Sequence, residues 1–200
     1  MRKQPQYLNV ISDDEVELIH RNSVRILEEV GVRFPDDEML ARFEQAGCVV
    51  DHDTQIVKIP EALVNRALVE LPKDFSSAPA DGGPPIRLGD GRLQLSMDTT
   101  PDIVDVMTGR KRRGTDRDVM QGIAVSNALA SVRLACAYCL PENIAQAAAD
   151  VWCYELLWTY SQKPVATWIY STQSARRILE MATIVAGGED ELRAGKTLTY

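Results

Sequence analysis

Cys136-Ala-Tyr-Cys139 is the spacing in this chain that most directly suggests chemistry. A C-x-x-C pair beside a strand-to-helix junction serves as a dithiol redox couple or as half of a zinc site. Both cysteines fall inside a mostly apolar extended run, Val132–Leu140, and residues three apart on a strand point to opposite faces. Catalytic dithiols sit instead at a helix N-terminus, where the thiolate is stabilised. The sequence holds no second C-x-x-C, and its only histidines are His20 and His52. Two buried, inert thiols are therefore expected, with no metal site. An unrelated α/β enzyme with a Cys136/Cys139 redox pair is one alternative reading.

A second group gathers where strands should end. Tyr138 and Glu142 close the Val132–Leu140 run, and Trp168 and Tyr170 close a second strand, Pro164–Tyr170. Tyr200 approaches the end of a third, Lys196–Tyr200. In parallel α/β architectures ligands bind at the carboxyl ends of the strands. Aromatic faces with an acid nearby suit a tertiary or quaternary ammonium, which the ring quadrupoles attract. Tyr138, Glu142, Trp168 and Tyr170 are the candidate substrate-binding residues on this ground, although aromatic residues also serve βα packing alone. No residue acquires a catalytic role from spacing.

His20 falls within a helix and His52 in a turn between Asp51 and Asp53, and both read as surface histidines. Arg110-Lys111-Arg112-Arg113 with Arg117 is the one basic cluster. No aromatic interleaves it and Asp116 and Asp118 adjoin it, which argues against stacking on nucleic acid. With 22 basic and 29 acidic side chains the net charge is −7, again unsuited to a broad nucleic-acid surface. Hydrophobic residues make up 45% and charged residues 26% of the 200, the balance of a soluble globular protein. No apolar run approaches the roughly 20 residues of a membrane helix, and Met-Arg-Lys-Gln-Pro-Gln is not a signal peptide. Four cysteines are too few for a disulfide scaffold, so a reducing cytoplasm is expected.

The elements that must carry these residues are legible from caps and periodicity. Ser12 with Glu15 makes a capping box for a helix carrying Val16, Ile19, Ile26, Leu27 and Val30 as an apolar stripe, stopped by Gly31. A second helix opens on Asp36, Asp37 and Glu38, buries Leu40 and Phe43, and ends at Gly47. Residues 48–51 and 55–59 suggest a hairpin, and Pro60 starts a helix that Pro72 ends. Residues 76–85 read as a linker, followed by a hairpin of 86–88 with 92–96 around Gly89-Asp90-Gly91. Asp102–Val106 turns through Thr108-Gly109 into the basic run, and Thr115 with Asp118 caps a helix through Val119, Ile123 and Leu129. Strand and helix then alternate: Val132–Leu140, helix Asn143–Tyr160, Pro164–Tyr170, helix Thr172–Ala186, Lys196–Tyr200. Such alternation implies a parallel sheet. A sheet left at its third strand exposes an apolar edge, so the chain reads as the front of a larger enzyme. A non-catalytic assembly module that buries this edge is the other alternative.

Three ordered stretches resemble the opening of the trimethylamine:corrinoid methyltransferase family. They are Ile26-Leu27-Glu28-Glu29-Val30-Gly31-Val32, then Ala46-Gly47-Cys48-Val49-Val50-Asp51, then Val57-Lys58-Ile59-Pro60. The densest similarity follows at Asp105-Val-Met-Thr108-Gly109-Arg110-Lys-Arg112-Arg113-Gly-Thr115-Asp-Arg-Asp118, and Ser161-Gln-Lys163-Pro164 adds to it. The resemblance implies an α/β fold: an N-terminal α+β extension, residues 1–130, then the first three βα units of a TIM barrel, residues 131–200, incomplete in this chain. A barrel alone takes about 250 residues, and members of the family are longer than this chain. It also implies methyl transfer from a methylated amine, trimethylamine or a quaternary amine such as a betaine. The acceptor would be a corrinoid (cobalamin) supplied by a partner protein, with no cofactor bound directly. Trimethylamine enzymes of the family carry pyrrolysine late in the barrel and many relatives lack it; that position lies beyond residue 200. The expected partners are a small methylated amine and a corrinoid protein, without nucleic acid or membrane, and a homo-oligomer is compatible.

Overall fold

The computed structural model of the chain describes residues 10–80, 82–88, 94–100 and 102–194. Their contacts form two compact units, Met1–Lys73 and Asp74–Tyr200. In the first, the Glu15 carboxylate accepts Ser12 N–H at 2.7 Å and Ser12 Oγ accepts Glu15 N–H at 3.3 Å, closing the capping box of α1 (Asp13–Arg25). The helix runs on through a π turn, Ile26–Val30, to Gly31. After β1 (Val32–Arg33), the Asp36 carboxylate accepts Met39 N–H and so caps α2 (Asp37–Ala46). β2 (Val49–Asp51) and β3 (Ile56–Lys58) form the expected hairpin, with β1 antiparallel on the far edge of β3; α3 (Glu61–Glu70) follows. Leu40, Cys48 and Val57 make a small core onto which Phe34 and Phe43 pack, their rings 4.6 Å apart. The stripe of α1 is apolar, yet Val16, Ile19, Ile26 and Val30 remain exposed, because this core turns on α2 and β3 instead.

The second unit holds β4 (Phe75–Ser77), β5 (Ile86–Leu88), β6 (Leu95–Ser96), β7 (Asp102–Val104), β8 (Lys111–Arg113), α4 (Asp116–Ala128) and β9 (Val132–Leu134). A 3-10 turn at Gln146–Ala148 leads into α5 (Ala149–Tyr160), then α6 (Thr172–Ala186) and α7 (Glu189–Arg193). Several sequence expectations are corrected here. β5 pairs antiparallel with β4 and β6 in parallel with β9, so among the described residues 86–88 does not pair with 95–96; the turn at 89–91 and residues 92 and 93 of the expected hairpin lie outside them. The linker reading also fails at its start, since Ser77 is a buried strand residue.

Parallel pairing therefore begins at Leu95, ahead of the Val132 at which strand and helix visibly alternate. Leu95 faces Val132 and Ser96 faces Leu134, Thr100 bridges Cys139, and Ala135 bridges Val165, all in parallel. Beyond that bridge Ala166 N–H returns to Ala135 O, so among the described residues the expected Pro164–Tyr170 strand is paired at its start alone. The helix expected from Asn143 starts at Ala149, because Asn143 is drawn off to the head of α4. Its Nδ2 donates to the Asp116 carboxylate at 2.9 Å and its Oδ1 accepts Asp116 N–H at 3.0 Å. Lys196–Tyr200, expected as a third strand, lies outside the described residues. No helix among the described residues is long and apolar enough to cross a membrane.

Ala135, Ala137 and Cys139 point into the core, against Val119 and Ile123 of α4, Cys153 and Leu157 of α5, and Ile178 of α6. Cys136, Tyr138 and Leu140 take the other face, as alternation requires. Gly122 lets α4 approach this second face closely. A Cβ there would lie 2.7 Å from Tyr138 Cβ and 3.1 Å from Met97 Cε. Gly122→Ala should therefore cost roughly 1–3 kcal/mol, against the gain an alanine normally brings to a helix interior. Thermal unfolding followed by circular dichroism measures it, and an unchanged or higher Tm would remove the steric argument.

Candidate functional site

Parallel pairing fixes which ends share an edge. Thr99 and Thr100, Tyr138 to Glu142, and Trp168 to Tyr170 lie at or past the last parallel bridges of their segments among the described residues. Thr99 Oγ1 donates to Ala137 O at 2.5 Å and locks the first two of these segments together. At the end of the last, the Trp168 and Tyr170 rings stack, with centroids 5.3 Å apart and planes inclined by 16°. Trp168 packs on the main core while Tyr170 is 49% exposed, so the pair offers an aromatic face backed by hydrophobic packing. Such a face attracts an organic cation. Partial burial, with a smaller push from the Asp150 carboxylate, raises the Tyr170 phenol above its ordinary value, so the ring stays neutral at physiological pH.

The four residues expected to bind substrate share this edge but not one cavity. Tyr138 lines a cleft of about 590 Å³ with Met97, Ile103, Gly122, Arg112 and Asp118. Glu142 lines a separate one of about 410 Å³ with Leu140, Pro141, Ile144 and Arg113, its carboxylate 3.8 Å from the Arg113 guanidinium. Trp168 and Tyr170 are joined directly by their stack.

Sequence reasoning missed Asp150. It is fully buried, and its carboxylate accepts Tyr170 N–H at 2.8 Å, the Ser174 hydroxyl at 3.1 Å and Val151 N–H at 2.9 Å. An acid in the first turn of a helix is unremarkable by sequence, since the macrodipole favours it there. Its contacts with residues 170 and 174 exist only in three dimensions. Near it Tyr154 Oη donates to Thr167 O at 2.9 Å and ties α5 to the segment that carries Trp168. Tyr154→Phe strands that carbonyl and should cost about 1–2 kcal/mol, measurable by urea denaturation. A variant as stable as the parent would show that the bond contributes nothing net.

The residues of densest resemblance turn out to shape the scaffold. The Asp105 carboxylate accepts Met107 N–H at 3.0 Å and Thr108 N–H at 2.8 Å, building the tip of the β7–β8 hairpin that the sequence foretold. Arg112 grips Asp118 in two bonds of 2.8 and 2.7 Å, and Asp118 also accepts Thr115 N–H at 2.9 Å. Hydrogen bonding from Arg112, opposed by burial, holds the Asp118 carboxyl far below the usual carboxylate range. Lys163 donates to Ser126 O and, at 2.7 Å, to Leu129 O, closing the C-terminus of α4. The basic run is thus partly spent within the fold.

All four cysteines are free thiols. Burial pushes Cys139 up to about 11 and Cys153 up to about 12, so neither supplies a thiolate near neutral pH. Cys136 and Cys139 lie on opposite faces of their strand, a poor arrangement for a redox couple. Among the described residues, no group of three or more His, Cys, Asp or Glu side chains is placed to hold a metal ion.

Comparison with known proteins adds a separate line of argument. The family model described as "Trimethylamine methyltransferase (MTTB)" matches residues 1–199. Trimethylamine methyltransferase MttB of Desulfitobacterium hafniense is 30% identical over 183 residues, 91% of this chain and 37% of that protein. Proline betaine:corrinoid methyltransferase of Eubacterium limosum is 42% identical over 76 residues, 38% of this chain and 15% of that protein. Trimethylamine methyltransferase MttB of Methanosarcina barkeri is 40% identical over 68 residues, 34% of this chain and 14% of that protein. The chain spans little more than a third of the length of the Desulfitobacterium hafniense relative.

Proposed function

Because the chain belongs to the trimethylamine methyltransferase family, we propose that it is the N-terminal part of an enzyme that moves a methyl group from a methylated amine to a corrinoid protein. The observation that carries this reading is the family match over residues 1–199. Relatives named for trimethylamine and for proline betaine support a tertiary or quaternary amine as the substrate class. In this reading residues 131–200 open a TIM barrel and residues 1–130 form its extension, which lends the parallel segment from Leu95 to Thr100 to the same sheet. Parallel pairing of three successive segments, with α4 and α5 between them, supports that architecture. The compact units parting at Lys73 reflect contacts within these residues, a different matter from where the barrel begins.

Tyr138, Glu142, Trp168 and Tyr170 are the lining residues of this proposal. The Trp168–Tyr170 stack is best suited to hold the ammonium, since it offers π-electron density without needing a proton to move. A quaternary ammonium is already an activated methyl donor. The protein's task is then to align the N–CH₃ bond and exclude water. The methyl acceptor is the cobalt of a corrinoid on its separate carrier protein, which supplies the nucleophile. Expression of the whole protein with its reduced corrinoid partner tests the reading: transfer from trimethylamine or a betaine, followed by the cobalt absorbance, is expected. Failure to demethylate any tertiary or quaternary amine would overturn it.

A further inference from the structure

Asp150 is a buried acid with no role in the chemistry described above. Its three hydrogen bonds all come from neutral donors, and among the described residues it makes no salt bridge. It sits in the first turn of α5, and Ser171, whose Oγ accepts Ser174 N–H at 3.0 Å, caps α6 beside it. The positive ends of two helices therefore offset its charge in part. Fully buried carboxylates are costly, and a purely structural clamp between Tyr170 and Ser174 would not need a formal charge. What the charge adds is a negative potential behind the Trp168–Tyr170 pair at the strand-end edge.

We propose that Asp150 is the positioning residue of an organic-cation site. Through Tyr170 N–H and the Ser174 hydroxyl its carboxylate fixes where the Trp168–Tyr170 stack lies, and its charge biases that stack toward a cation over a neutral molecule of the same shape. The inference rests on the amine reading above but asks a narrower question. Tyr170 N–H is held at 2.8 Å, so the backbone bearing the exposed ring cannot shift without breaking this bond. Asparagine at position 150 has one acceptor oxygen where the carboxylate has two. It would point an amide N–H₂ at either Tyr170 N–H or Ser174 Oγ, which loses the charge and one bond together. Ser174→Ala instead removes one bond and keeps the charge.

The test measures tetramethylammonium binding to the whole protein by calorimetry, with neopentyl alcohol as a soluble uncharged analogue of similar size. The parent should bind the cation and discriminate against the alcohol, and Tyr170→Leu should lose the cation. Asp150→Asn should weaken cation binding about tenfold or more and erode discrimination; Ser174→Ala should weaken it by only about threefold. Near-ultraviolet circular dichroism should show the Trp168–Tyr170 coupling reduced in Asp150→Asn. In the methyl-transfer assay, KM for the amine should rise more than kcat falls. Unchanged cation affinity in a folded Asp150→Asn protein overturns the proposal. If that variant does not fold, unchanged affinity in Ser174→Ala overturns it. So does a parent that binds no tetramethylammonium, or one whose binding survives Tyr170→Leu. Methyl transfer from an amine alongside any of these results would leave the family reading standing and remove only the role of Asp150.

Discussion

Arg112→Ala is expected to lower the stability of the second unit by roughly 2–3 kcal/mol. Removing one partner of a buried ion pair typically costs about 3–5 kcal/mol, because the remaining charge is left in a poor solvent. Here the Asp118 side chain is only 7% exposed, whereas Arg112 is 45% exposed and already partly hydrated, which argues for the lower end. Thr115 still donates its N–H and its hydroxyl to the stranded carboxylate, at 2.9 and 2.7 Å, and softens the loss further. The pH dependence gives an independent check. The Asp118 carboxyl lies below its ordinary 3.8 in the folded chain. A depressed folded value contributes stability that is complete above the unfolded value and is lost as pH falls through the folded one. The parent and Arg112→Ala should therefore differ most at neutral pH and converge as acid protonates the carboxylate below about pH 4. Thermal unfolding at a series of pH values measures this, and a gap that stays constant into strong acid would show that the pair is not what the substitution breaks.

Gly114→Ala should be at least as severe, at roughly 3 kcal/mol or more. Gly114 lies between the basic hairpin and α4, where it bridges Pro141 in parallel and accepts Glu142 N–H at 2.9 Å. A Cβ at this position would run into Cys139 Sγ, lie 2.7 Å from Cys139 Cβ and 3.1 Å from Leu140 O. Cys139 is wholly buried in the main core and the carbonyl is backbone, so neither has room to yield. Replacing Cys139 with glycine as well removes both of the closest atoms and should recover part of the loss, a coupling that a double-mutant cycle quantifies. Strict additivity of the two substitutions would show that Gly114 is required for some other reason. The same contact explains why this cysteine behaves as packing material rather than as a reagent.

Most of what could be read from sequence was local. Ser12 with Glu15 and Thr115 with Asp118 are contacts three residues apart, so these two helix starts are written in their own first turns. The Asp102–Arg113 hairpin is equally local, because its turn is built by Asp105, Thr108 and Gly109. Period-2 alternation alone places Cys136 and Cys139 on opposite faces. Failures came where a segment had a choice of partners. The pattern of Ile86–Leu88 and of Leu95–Ser96 suits any neighbouring strand. Competition across the unit assigned the first to β4 and the second to β9.

The sequence by itself determined the family, the capping boxes at Ser12 and Thr115, the hairpins of residues 49–58 and 102–113, and the chemical types available at the strand ends. Each is either an ordered residue pattern or an interaction closed within a few residues. Only the tertiary structure decided that Trp168 and Tyr170 stack, that Tyr138 and Glu142 line separate clefts, and that Asp150 stands behind the aromatic pair. The physical reason is distance along the chain. The bonds from residues 170 and 174 to Asp150 close loops of 20 and 24 residues, and no local propensity encodes a contact whose cost and reward are settled by the packing of whole elements.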